Sequence, residues 1–190
     1  MPHRVRTLFA DRRGVAAIEF AFALPILCTM VFSLYEVAQG ISCYYKLMDA
    51  ANSVADLIGQ TTVSQGGIGN TEFNNYYTAG QLIMSPESGS SLKLAMGSVL
   101  FTSRAAFSKV VWQVTRGGAT AMTSPSLQTA TANLGVASSG VIVVQATYSY
   151  SSLLNYFITT PITMSYVAYA LPRNMTQVPC PPPSGTESCS

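Results

Sequence analysis

The sequence predicts an α+β protein in which one long N-terminal helix precedes a small, mainly antiparallel β-sheet domain. Three observations carry that reading. Residues 16–35, AAIEFAFALPILCTMVFSLY, form an apolar run of the length that crosses a bilayer, for which about 20 residues suffice. Helical spacing of apolar residues then continues as far as Gln60. Between Leu92 and Leu171, four runs rich in β-branched and aromatic residues alternate with turn-forming stretches. Composition agrees. Only 9% of the 190 residues are charged while 48% are hydrophobic, against about 25% charged in an ordinary soluble domain. So few charges disfavour a highly soluble cytosolic enzyme, and so much apolar surface disfavours disorder. The net charge of +2 leaves no electrostatic footprint for nucleic acid. A membrane or exported protein remains.

The apolar run follows Arg4, Arg6, Arg12 and Arg13, with Asp11 the one acid among them. By the positive-inside rule these residues stay in the cytoplasm and everything after Tyr35 is translocated. Ala16, Ile18, Phe22, Leu24, Leu27, Val31 and Leu34 are the lipid-facing candidates. Two residues depart from a plain anchor. Glu19 lies within the run, where a carboxylate near the bilayer centre costs about 2.5 kcal/mol or more unless it is paired, protonated or shallow. Pro25 removes one helical hydrogen bond and is expected to kink the helix, which membrane spans tolerate. A cleavable secretory signal competes for the segment, but its apolar core would be shorter and would end at a small-x-small site.

Beyond Tyr35 the helix is expected to continue from about Arg12 to Gln60, near 70 Å at 1.5 Å per residue. Val37, Ile41, Tyr44, Met48, Ala51, Ala55 and Ile58 recur at spacings of three and four and predict the face that packs on the domain. Gly40 weakens this helix by about 1 kcal/mol without stopping it. Asp49 and Asp56, with Lys46 nearby, predict a salt-bridged surface.

The polar, glycine-rich TTVSQGGIGN (61–70) reads as a loop, since Gly66, Gly67 and Gly69 lack the strand and spacing of a phosphate cradle. Residues 71–83 predict a short helix capped by Asn70 or Thr71, with Phe73, Tyr76, Tyr77 and Leu82 facing inward. Strands are predicted at Leu92–Thr102, Lys109–Thr115, Gly140–Tyr150 and Ile162–Leu171. In the last, Ile162, Met164, Tyr166, Ala168 and Ala170 share one face. Arg116-Gly117-Gly118 reads as a turn, and Ala119–Ser139, rich in Ala, Ser and Thr, as a surface loop. Domain limits follow: a basic leader 1–14, a long helix 15–60, an α+β domain 61–179 and a Cys/Pro-rich tail 180–190.

Chemistry is sparse. One histidine, His3, and four cysteines without metal-ligand spacing exclude a His-based metal site or triad, so neither metal nor cofactor is expected. No serine, cysteine or carboxylate has the company catalysis requires. Cys180 and Cys189 bracket PPPSGTES and either close a small disulfide loop in an oxidising compartment or remain free thiols. Trp112 and the ten tyrosines are expected to fill the sheet core rather than line a ligand surface. Lys93, Arg104, Lys109 and Arg116 are expected on a solvated face. Asn174-Met175-Thr176 matches a glycosylation acceptor, a triplet common by chance.

The run Arg12-Arg13-Gly14-Val15-Ala16-Ala17-Ile18-Glu19-Phe20, followed by Leu24-Pro25, resembles the TadE-like family of pseudopilins, minor subunits of the tight-adherence (Tad/Flp) pilus system. The resemblance implies a pilin-like architecture and a leader ending at Gly14, so that Val15 is the first mature residue and Glu19 the fifth. It implies that Glu19 and Phe20 serve subunit pairing. Its implied partners are a prepilin peptidase, the major pilin, other minor pseudopilins, the secretion platform and inner-membrane lipid. TadG-type relatives share a similar helix uncut, so an uncleaved single-pass anchor with a periplasmic binding domain stays open beside the processed pseudopilin. A secreted enzyme or ligand-binding module is the third reading, and predicts a soluble product lacking the anchor.

Overall fold

The computed structural model describes residues 13–61, 68–102, 107–132, 134, 138–152 and 158–179. The basic residues before Arg13, the glycines Gly66 and Gly67, Arg104 and the tail with Cys180 and Cys189 lie outside the described residues.

Helix α1 runs Arg13–Gly59 without interruption, through Pro25. Its two halves have different surroundings. From Gly14 to Tyr35 nearly every side chain is exposed, and from Glu36 onward one face is buried. That face is Cys43, Leu47, Ala50, Ala51, Val54, Ala55 and Ile58, the i, i+3, i+4 pattern of an amphipathic helix. The expected packing stripe is therefore corrected in its first half. Val37, Ile41 and Tyr44 point outward, and the two patterns merge only from Ala51.

Helix α2, Asn70–Ile83, is capped by Gly69 rather than by Asn70 or Thr71. Glu72 reaches back so that its Oε2 accepts the Gly69 N–H at 3.0 Å, and its charge suits the positive end of the helix. Phe73 is buried, and Tyr76 and Tyr77 pack against the core, but Leu82 is 71% exposed, contrary to expectation. It stands on the opposite side of the helix from Phe73, Tyr77 and Gly80, while Ile83 and Met84 after it pack against the core.

Four strands form one antiparallel sheet in the order β2-β1-β3-β4: β1 Leu92–Phe101, β2 Phe107–Arg116, β3 Gly140–Tyr150 and β4 Ile162–Ala170. Two hairpin pairs, β1–β2 and β3–β4, meet where β1 pairs with β3. The turn after β2 uses Gly117 and Gly118 at φ +66° and +73°, and a side chain on Gly117 would strike the Leu92 carbonyl and the Tyr77 hydroxyl. Arg116 is no solvated cation. Its Nε donates to Asn74 Oδ1 at 2.8 Å and its Nη2 to Asn70 Oδ1, clamping α2 to the sheet, while Lys93 and Lys109 do stay exposed.

One sheet face carries the main core. Leu92, Leu94 and Met96 of β1, Trp112 and Val114 of β2, and Ile142, Val144 and Ala146 of β3 are buried against α1 and α2. Of the β4 residues expected to share one face, Met164, Tyr166, Ala168 and Ala170 lie on this side, whereas Ile162 at the start of the strand is 43% exposed. The opposite face is half covered. Residues 119–139, read as a loop, contain α3 (Ser124–Ala130), whose Leu127 closes a second cluster with Val99, Phe101, Val141 and Val143.

After β4 the chain forms a strap across one end of the sheet. Arg173 N donates to Gly59 O at 2.9 Å and its guanidinium pairs with Asp56 at 3.0 Å, so Asp56 has its ion pair with Arg173 rather than on its own helix. Asn174 Nδ2 donates to Gln60 O at 3.1 Å, and Gly140 N to Thr176 O at 2.7 Å. Val178 is fully buried and its carbonyl accepts the Trp112 Nε1–H at 3.2 Å. The strap thus links the end of α1, the start of β3 and the middle of β2.

Candidate functional site

The sequence motif falls on the bare half of α1. Gly14 and Val15 lie in its first described turn. A Cβ on Gly14 would meet nothing within 4 Å, so packing in its own chain does not demand a glycine there. Glu19 stands four residues after Val15, hence on the same face of the helix, and it and Phe20 are exposed. Ala16, Ile18, Phe22, Leu24, Pro25, Leu27, Val31 and Leu34 are likewise exposed. Within an 18-residue window the mean hydropathy reaches 2.2 and none of the window is buried. Surface this apolar is too costly to leave in water and needs lipid or other helices around it. Two of its hydroxyls are satisfied within the helix: Thr29 Oγ1 donates to Ile26 O at 2.8 Å and Ser33 Oγ to Thr29 O at 2.6 Å. The expected kink at Pro25 does not interrupt the helix.

Where the bare half meets the domain stands Glu36, a carboxylate only 1% exposed. Its Oε2 accepts the Ile158 N–H at 3.1 Å, tying the chain ahead of β4 to the helix just past the apolar run. A carboxylate buried there is tolerable only because it is hydrogen-bonded. Sequence reasoning missed it. The available signal was its spacing of seven residues before Cys43, which puts it on the sheet-facing side of α1.

Two turns farther along α1 lies Cys43, fully buried. Burial chiefly, and Glu87 next, push its thiol up to about 11, against an opposing effect of Lys46. Tyr148 is pushed up to about 12, by burial first and then by Cys43 and Glu87. Both groups are neutral when protonated, so the folded state favours the protonated forms. The stability this confers is present below the unfolded values of 9.0 and 10.0 and is lost as pH rises through 11 to 12. Urea unfolding of the detergent-solubilised chain should therefore show a stability flat to about pH 9 and falling above it. At pH 8, iodoacetamide should leave buried Cys43 unmodified until the domain is unfolded.

On the outer face of the sheet, the part that α3 leaves open forms a shallow groove of about 280 Å³ lined by Lys93, Ala95, Thr120, Gln145 and Thr147. The chain ahead of α3 is tied to β2 by Gln113, whose amide donates to Met122 O at 3.3 Å and accepts Met122 N–H at 3.0 Å. Among the described residues, no three of His, Cys, Asp or Glu come together as a metal site would require. Trp112 is buried in the core, as expected. The pairing of Cys180 with Cys189 lies outside the described residues.

Comparison with known proteins touches only the stem. Residues 14–56 match the family described as TadE-like protein. Neither the curated proteins nor the solved structures give a match to the chain. The matched segment begins at Gly14, includes Glu19 and Glu36, and ends at Asp56, in the half of α1 that packs against the sheet. Over this N-terminal segment the chain is similar to TadE-like proteins, which suggests a membrane protein associated with the Tad pilus.

Proposed function

We propose that the chain is a minor pseudopilin of a Tad/Flp pilus, cut by a prepilin peptidase between Gly14 and Val15 and required for pilus assembly, adherence and biofilm formation. The observation that carries this reading is the match over residues 14–56 on a helix whose first half is apolar and uncovered. The chain crosses the inner membrane once, basic end in the cytoplasm and sheet domain in the periplasm. The role is structural, not catalytic.

Cleavage gives the buried charge a partner. Hydrolysis of the Gly14–Val15 peptide bond leaves a carboxylate on Gly14 and an α-ammonium on Val15. Val15 and Glu19 stand at i and i+4, so the new cation reaches the Glu19 carboxylate of its own helix or of an adjacent subunit. Pairing offsets part of the cost of holding Glu19 among apolar helices and fixes the axial register of neighbouring subunits. The apolar stem then passes from lipid to the helices of the major pilin and other minor pseudopilins, driven by the secretion platform.

N-terminal sequencing and intact mass of the membrane-extracted protein test the reading. A chain beginning at Val15 is expected. A membrane-bound chain that keeps its leader while pili are built normally would overturn the processing step and leave an uncut anchor. A soluble product without α1 would overturn the membrane role itself.

A further inference from the structure

The sheet domain comes down to the end of the apolar run with no spacer between them. Glu36 follows Tyr35 directly, and its Oε2 accepts the Ile158 N–H at 3.1 Å. Helical side chains lean toward the N-terminal end of their helix. That brings the carboxylate, and the backbone donating to it, level with the last apolar turn. Two further contacts fix how the sheet stands on the stem. A Cβ on Gly40 would lie 3.6 Å from the Tyr150 ring, and one on Gly59 would lie 3.7 Å from Ile142 and 3.8 Å from Ala170. Between those points the helix rises about 28 Å at about 1.5 Å per residue, and β3 covers about 26 Å at about 3.3 Å per residue. The strands therefore run nearly along the helix axis. Tyr150 pairs with Ile162, so the start of β4 stands level with Gly40, about 7.5 Å past Tyr35.

The headgroup layer is about 5–8 Å thick on each side of the hydrocarbon core. With the span ending at Tyr35, both Ile158 and Ile162 fall within it. We propose that the end of the domain marked by Tyr35, Ile158 and Ile162 is a lipid-contact surface, seated among the headgroups of the membrane that α1 crosses. The proposal rests on the single-pass reading above and not on cleavage at Gly14. The side chains suit that place. Tyr35 is 46% exposed and its hydroxyl accepts from Gln39 Nε2 at 2.8 Å, one turn toward the water, as an interfacial tyrosine requires. Ile162 is 43% exposed, left open by the core that covers the rest of its β4 face. Thr159, Thr160 and Pro161 beside it are exposed and uncharged. From Gly117 to Pro172 the sequence holds no Asp, Glu, Lys, Arg or His, so β3, β4 and the chain joining them bring no ionic group to be desolvated. Glu36, the carboxylate at this level, is turned inward and hydrogen-bonded. At the other end of β4, Leu171 is 57% exposed but stands beside Gly59, far above the headgroups.

Fluorescence quenching of the full chain in vesicles of phosphatidylethanolamine and phosphatidylglycerol tests this. The background has Cys28→Ser, Cys180→Ser and Cys189→Ser and keeps buried Cys43. Single labelled cysteines replace Thr160, Ile162, Leu171 and, as a mid-span reference, Leu27, all of them exposed, so the domain should unfold at the parent's temperature in each. A lipid bearing a nitroxide on its headgroup should remove most of the fluorescence at Thr160→Cys and Ile162→Cys and leave Leu171→Cys nearly unchanged. The label at Ile162 should also emit at shorter wavelength than the one at Leu171, because lipid excludes water from it. Leu27→Cys should be quenched by a nitroxide on the acyl chain. Unquenched labels at both Thr160 and Ile162, with Leu27 quenched, would overturn the contact and leave a domain standing clear of the bilayer. Equal quenching or equal emission at Ile162 and Leu171 would overturn it as well. An unquenched Leu27 would refute the single-pass reading instead.

Discussion

Replacing Trp112 with alanine is expected to destabilise the sheet domain by about 3–5 kcal/mol, the range for removing a large buried aromatic side chain. Domains of this size are stable by only about 5–15 kcal/mol, so the variant should be close to unfolding at physiological temperature. Three contacts fail together. The indole is fully buried between sheet and helices. It meets Phe73 of α2 edge-on at 5.2 Å between ring centres. Its N–H satisfies the buried Val178 carbonyl, which would be left without that donor. Trp112→Phe keeps the ring contact and loses the hydrogen bond, and should cost roughly 1–3 kcal/mol. Urea unfolding followed by circular dichroism measures both, with α1 held in detergent. If the two variants unfold alike, the hydrogen bond to the strap rather than the filled volume dominates. If Trp112→Ala unfolds with the parent, the core described above is not the one that holds the domain.

Replacing Glu19 with alanine should leave the chain in the membrane and abolish its contribution to pili. Insertion becomes easier, because the one acidic group inside the apolar run is gone. Assembly suffers for the same reason. Losing one partner of a desolvated ion pair costs about 2–5 kcal/mol, a factor of about 30 or more in each subunit contact. A filament or priming complex repeats that contact, so pili per cell should fall by at least the same factor. Counting pili by electron microscopy, beside alkaline extraction of membranes, separates insertion from assembly. Unchanged piliation would sink the role given to Glu19. The variant also distinguishes pairing from packing, since Phe20→Leu conserves an apolar side chain and should assemble nearly as the parent does.

How much was legible before the structure depends on which force shaped each element. The limits of β3 were readable because a continuous Val/Ile/Tyr run is bounded by Gly140 and by the residues after Tyr150. Helix α1 was readable to within a residue at each end. Its orientation was not. The helix past Tyr35 has two apolar faces, one through Cys43, Leu47 and Val54 and one through Ala38, Ile41 and Tyr45, and periodicity alone cannot say which one meets the sheet. The expected stripe through Val37, Ile41 and Tyr44 ran between them. Helix α3 was hidden because Ser-Pro-Ser-Leu-Gln-Thr-Ala reads locally as loop, and only the buried contacts of Leu127 with the sheet make it a covering element. The motif from Gly14 to Glu19 was legible because it is local. Glu36 was not, since its partner Ile158 is 122 residues away in the chain. Arg116 was misread for the same reason: Asn70 and Asn74 reach it only through tertiary packing.

The strap also decides how the molecule bears load. Gly59 lies about 36 Å along α1 from Tyr35, so the strap crosses the end of the domain remote from the apolar half of the helix. A tug there is not taken by β4 alone. It divides among the last turn of the stem, the first residue of β3 and the indole of β2, all fastened to the same short stretch. Traction on the outer tip is thereby passed to the rod that anchors it, and the sheet's outermost strand is spared from being peeled away.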